Sequence, residues 1–140
     1  MKRSEIRENV FKLVFCGDFY SMTELPDQVE SFFEEAVLPD EESGFSKFSE
    51  EERQEITDRF NQVKDRVHEI DAKINEVAQG WKTERMGKAE LAVLRLAVYE
   101  MLYDETVPVK VAINEAVELA RKYGGDDAPA FVNGVLAKLA

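Results

Sequence analysis

The sequence predicts an all-α fold of about six to seven helices, arranged as two packed three-helix bundles. Three observations carry this. Apolar residues recur every three or four positions over most of the chain, the period of a helix with one buried face. No stretch alternates apolar and polar residues as a half-buried strand does, and no internal repeat is detectable. The punctuation is helical as well: Pro108 stands at a helix start, Gly80 and Gly124-Gly125 at helix ends, and Ser49 three residues before Glu52 as a reciprocal cap. A chain of 140 residues fits one helical domain with a real core, here an N-terminal bundle of about residues 1–79 and a C-terminal bundle of about 80–140.

Taken in order, residues 4–19 form the first predicted helix, with Ser4 as its N-cap. Ile6, Val10, Leu13 and Val14 make its core stripe. Beside that stripe runs a row at i, i+4 spacing: Arg3, Arg7, Phe11 and Phe15, with Lys2 just upstream. Cations followed by aromatic rings suit single-stranded RNA, which needs phosphate neutralisation and flat faces for unpaired bases. The same row also suits a helix whose phenylalanines are core and whose arginines reach past them to water. A turn at 20–23 leads to a second helix over 24–38, with Pro26 in its first turn. The Pro-, Gly- and acid-rich stretch 39–47 reads as a loop.

The capping box opens a long amphipathic stretch over 50–79, with a break expected near residues 69–71. His68 has no nucleophile or carboxylate pair beside it and reads as a bystander. Trp81 and Arg85 occupy the turn after Gly80, where a single Trp is most simply a core plug.

Residues 88–103 are apolar on every side, which marks a central helix wrapped by others. A membrane span is excluded because Glu90, Arg95 and Glu100 interrupt it. Arg95 and Glu100 either pair with neighbours such as Glu115 or Lys110, or meet a ligand. A two-faced helix follows over 108–123, with only Val111 on the wrong side. Gly124-Gly125 then offers the left-handed conformation of a C-cap. Asp126 or Asp127 caps the last helix. Gly134 inside it costs about 1 kcal/mol relative to alanine, so another helix or a ligand is expected to approach there.

Composition narrows the function. With one cysteine, Cys16, and one histidine, His68, the chain has no internal disulfide and no zinc-type cluster. The N-terminus lacks an apolar signal segment, so a soluble cytoplasmic protein is expected. Enzyme signatures are missing: Gly124-Gly125 lacks the strand and lysine of a phosphate loop, and the carboxylates belong to helical faces. No cofactor or metal is expected. The net charge of −11 is uneven: residues 1–23 carry net +1, 24–90 net −10 and 91–140 net −2. This is either plain solubility through self-repulsion, or a chain with one acidic side and a small basic site elsewhere.

Three runs carry a family resemblance: Leu94-Arg95-Leu96-Ala97-Val98-Tyr99-Glu100, the stretch from Val107-Pro108-Val109-Lys110 to Glu118-Leu119-Ala120, and Phe131-Val132-Asn133-Gly134-Val135-Leu136. Together they cover about a fifth of the chain, and Arg7-Glu8-Asn9-Val10 with Phe15 agrees more loosely. With these the chain resembles the NusB family of transcription antitermination factors. The resemblance implies binding of single-stranded boxA-type RNA in ribosomal RNA transcripts. It also implies a heterodimer with the small-subunit ribosomal protein NusE, and assembly with other Nus factors on RNA polymerase. Carried onto this sequence, the family's RNA-binding positions fall on Lys2, Arg3, Arg7, Phe15, Arg95, Asp127 and Phe131, and the partner contact on Glu90 and Arg95. The family's arginine-rich N-terminus is thinner here, with Glu5 and Glu8 offsetting the cations, so weak RNA binding by the free chain and tighter binding with the partner are expected. Two other readings stay open: a protein-only helical adaptor, and a stand-alone relative of the RNA-binding module of an rRNA cytosine methyltransferase. Self-association into a homodimer is also open.

Overall fold

A computed structural model describes residues 2–19, 24–35, 48–78 and 80–140. The expected turn at 20–23, the last residues of the second helix and the loop at 39–47 lie outside the described residues. Among those described, the chain forms seven α-helices and no strand: α1 (Arg3–Gly17), α2 (Leu25–Glu35), α3 (Glu50–Asp65), α4 (Val67–Val77), α5 (Lys88–Tyr103), α6 (Val109–Tyr123) and α7 (Ala128–Ala137), with a 3₁₀ turn at Thr83–Arg85. Two compact units result, Met1–Asn61 and Gln62–Ala140.

In the first unit, α1 buries Ile6, Val10, Phe11, Leu13 and Val14. Its N-cap is Lys2 rather than Ser4, without a side-chain cap bond. Asn9, buried on the same face, is satisfied by donating its amide to the Glu5 carbonyl at 2.8 Å. Phe33 of α2 meets Phe48 edge-on at 5.5 Å. The capping box forms as expected: the Ser49 backbone N–H donates to Glu52 Oε1 at 2.8 Å and the Glu52 N–H to Ser49 Oγ at 3.1 Å. The Ser49 N–H holds the Glu52 carboxyl below the ordinary carboxylate range. Ile56 and Phe60 carry the inner face of α3 into the core.

The long predicted helix breaks at Arg66, three residues before the expected place. In the second unit α5 packs against α4, α6 and α7. Leu91 to Leu94, Leu96, Ala97, Val98, Tyr99 and Glu100 are all buried, so the central-helix reading holds along most of its length. Leu102 is the exception and is exposed. Tyr99 donates to Gln62 Oε1 at 2.5 Å, and Tyr103 to Glu69 Oε2 at 2.9 Å. Gly80 adopts the left-handed conformation, φ 80°, that its place after α4 suggested. Gly124 does not: its φ is −96°. Space makes it glycine instead, since a Cβ there would lie 2.5 Å from the Ala128 Cβ and 2.9 Å from the Ala120 carbonyl. At Gly134 no other helix makes the expected approach: among the described residues, nothing beyond its own helix lies within 4 Å of where its Cβ would be, which leaves approach by a ligand as the remaining expectation.

Candidate nucleic-acid interface

The first group of predicted residues belongs to α1. Lys2 and Arg3 stand exposed at its N-terminal end, and Arg7 is half-buried one turn on. Arg3 is engaged: its Nη1 donates to both Glu55 carboxylate oxygens of α3, at 2.8 and 2.7 Å. The aromatic row sorts itself by depth. Phe11 is core, Phe15 is half-buried, and Phe19 is 58% exposed. The rings follow one another at 6.3 Å from Phe11 to Phe15 and 5.5 Å, edge-on, from Phe15 to Phe19. An i, i+4 ridge winds about the helix axis, so its members leave the core progressively. Phe19 was not among the predicted residues, although it continues the same spacing by one step.

The second group belongs to the other unit and forms a cleft of about 260 Å³ between the start of α5 and the start of α7. Trp81, Arg85, Met86, Gly87, Glu90, Asp127, Ala128 and Phe131 line it. Trp81 is 57% exposed, not a core plug, and meets Phe131 edge-on at 6.2 Å. The turn carrying Trp81 and Arg85 is held to α4 by the Thr83 backbone N–H, which donates to Asn75 Oδ1 at 2.8 Å. Glu90 sits in the first turn of α5, where a carboxylate complements the helix dipole. Its Oε1 lies 3.2 Å from where a Gly124 Cβ would be, so any larger residue at Gly124 would crowd this wall. Asp127 occupies the N-cap position of α7, but its side chain makes no cap bond. Asp127 and Phe131, one helical turn apart in α7, are therefore brought together with Glu90.

Arg95 stands outside both groups. Its Nε and Nη2 donate in parallel to Asp71 Oδ1 and Oδ2 of α4, at 2.9 and 2.8 Å. The side chains are 12% and 22% exposed. Arg95 thus pairs with a neighbour, as one of the two sequence readings had it, and Asp71 of α4 is a partner that reading did not name. This fork ties α5 to α4.

Among the described residues no three metal-binding side chains cluster, and no helix is long and apolar enough to cross a membrane.

Comparison with known proteins places the chain. Residues 4–140 match the family model of the NusB family. The transcription antitermination protein NusB of Agathobacter rectalis is 49% identical over 140 residues, covering 100% of both chains. The solved structure of T. maritima NusB superposes with a TM-score of 0.84 at 28% identity, covering 100% of this chain and 91% of that one. A crystal structure of antitermination factors NusB and NusE in complex with dsRNA shares the fold, with a TM-score of 0.77 at 22% identity over 98% of this chain and 94% of that chain. With a family model matching residues 4–140 and a relative 49% identical over its full length, the chain belongs to the NusB family.

Proposed function

We propose that this chain is a transcription antitermination factor. It binds boxA-type single-stranded RNA in ribosomal RNA transcripts together with the small-subunit ribosomal protein NusE, and through that complex reaches other Nus factors and RNA polymerase in the cytoplasm. The observation that carries this is the family match across residues 4–140, with a full-length relative named for antitermination at 49% identity. The reading assigns the chain no catalytic step, cofactor or metal.

The geometry supports a division of labour. Lys2, Arg3 and Arg7 supply positive charge at the N-terminal end of α1, where free backbone N–H groups also favour an anion. These residues serve RNA phosphates, and Phe15 offers a partly open ring about two turns beyond Arg7 on the same helix. The cleft in the other unit suits bases rather than phosphates. Trp81 and Phe131 present flat apolar faces, and the Asp127 carboxylate accepts hydrogen bonds from base amino and imino groups while repelling phosphate. Glu90, on the opposite wall, meets the protein partner. Arg95, which the family resemblance places among the RNA and partner contacts, also steadies α5 against α4 through Asp71.

A titration of labelled boxA-type RNA tests the reading, at two salt concentrations, with and without the ribosomal partner. Binding is expected to be weak for the free chain and tighter with the partner; equal affinity in both cases overturns the cooperative reading. Charge reversal at Arg3 and Arg7 separates RNA binding from a protein-only adaptor, which would keep partner affinity and show no RNA dependence to lose.

A further inference from the structure

We infer that Glu55 is a built-in competitor for RNA phosphate at Arg3. The inference rests on the reading of the α1 N-terminal end as a phosphate-binding site and adds a regulator to it. Three observations carry it. The Arg3 Nη1 donates to both Glu55 oxygens, at 2.8 and 2.7 Å, so the guanidinium already holds a two-oxygen anion of the kind a phosphodiester presents. The pair is open to solvent, with side chains 66% and 34% exposed, so an incoming anion can reach it and exchange for it. Finally, Arg59 of α3 has its Nε 3.8 Å from the same Glu55 Oε2. When a phosphate takes Arg3, Glu55 keeps a cation beside it and is not stranded.

The consequence is a penalty on RNA binding by the free chain. Affinity is reduced by the fraction of molecules in which Arg3 is released, and Arg3 contributes little to counterion release while it is held. The thin basic N-terminus is therefore thinner in the folded protein than its residue count suggests.

The test uses the full chain, labelled single-stranded boxA-type RNA, and the variants Glu55→Gln, Arg3→Ala and their combination, with Glu50→Gln as a control for charge removal on the same helix. Glu55→Gln is expected to tighten RNA binding by about two- to fivefold at low salt. It should also steepen the dependence of log affinity on log salt by about one. Both gains should vanish in the Arg3→Ala background, and Glu50→Gln should reproduce neither. Circular dichroism confirms that the variants fold; Glu55→Ala repeats the measurement should the glutamine variant not. If Glu55→Gln binds like the wild type, or gains equally without Arg3, the competitor is overturned while the RNA reading stands. If the wild-type chain binds no RNA with or without the ribosomal partner, the RNA reading falls and the competitor falls with it.

Discussion

The basic end of α1 and the cleft between α5 and α7 contain similar lists of residues, charged groups beside aromatic rings, yet the chain treats them differently. At α1 the most prominent cation, Arg3, already has an anion from α3, and the nearest aromatic in the row, Phe11, is spent on the core. In the cleft, the Trp81 ring is more than half exposed and Asp127 makes no side-chain cap bond to α7. The difference teaches what kind of affinity each can supply. A charge that must be exchanged gives salt-dependent binding that neutral or acidic competitors can tune. Open rings give bases a stacking surface, a share of the affinity that does not come from counterion release, although Arg85 on the same lining can add a phosphate contact.

The largest expected effect breaks the cleft. Phe131→Ala removes the ring that Trp81 meets edge-on. Base stacking is worth about 1–3 kcal/mol per base, so RNA affinity in the presence of the partner should fall about five- to 150-fold. The salt slope should not change. Measuring affinity at three salt concentrations checks both parts, and a changed slope with little loss at any one salt would assign the cleft to phosphates instead.

Arg95→Ala comes next, and acts on stability. It breaks two parallel charge-assisted hydrogen bonds at a largely buried pair, costing about 2–3 kcal/mol. Asp71→Ala should cost a similar amount, and the double variant little more than either, as a coupled pair requires. Urea denaturation gives these values. RNA affinity of the folded Arg95→Ala protein should match the wild type; a loss there, with Asp71→Ala neutral, would return Arg95 to the RNA contacts.

Lys2→Gln sharpens the other side of the comparison. Lys2 is exposed and sits at the N-cap of α1. Its removal should weaken RNA binding by about threefold and flatten the salt slope by about one, without preference for any RNA sequence. A sequence-dependent loss would mean that the α1 end reads bases.

How much of this was legible in the sequence follows from what sequence encodes. Helix existence, the apolar girth of α5 and the Ser49–Glu52 cap were legible because each is set by residues within one or two turns of one another. The break at Arg66 was displaced because nothing local marks it: no glycine or proline stands there. Gly124 was legible as a helix end but for the wrong reason, since its need is set by Ala128 and Glu90 rather than by its own φ. The site shows the same divide. Residue types at Lys2, Asp127 and Phe131 were readable, whereas the capture of Arg3 by Glu55 spans 52 positions and that of Arg95 by Asp71 spans 24. No spacing rule reaches across those separations. Trp81 was misjudged for a related reason, because whether a ring is covered depends on the elements folded around it, here α7 on one side only.

The smallest effect concerns a pair remote in sequence from both groups, which makes it a useful reference. The Tyr103 hydroxyl donates to Glu69, with the Arg66 guanidinium 4.9 Å over its ring. The hydrogen bond to the Glu69 carboxylate, helped by burial and by the negative charge, pushes the Tyr103 ionisation above its ordinary value. A group whose folded pKa is raised stabilises the fold fully below the unfolded value, about 10 for tyrosine, and loses that contribution as pH rises through the folded value. Ultraviolet titration should therefore show Tyr103 ionising late, and Glu69→Gln should bring it back toward the ordinary range. Because the tyrosine is only partly covered, the stability change should be small, and RNA affinity below pH 9 should be untouched. Any change in RNA affinity from Glu69→Gln would mean that the contact surface extends onto α4, and the contrast between a tunable basic end and a fixed cleft would then need a third, acidic member.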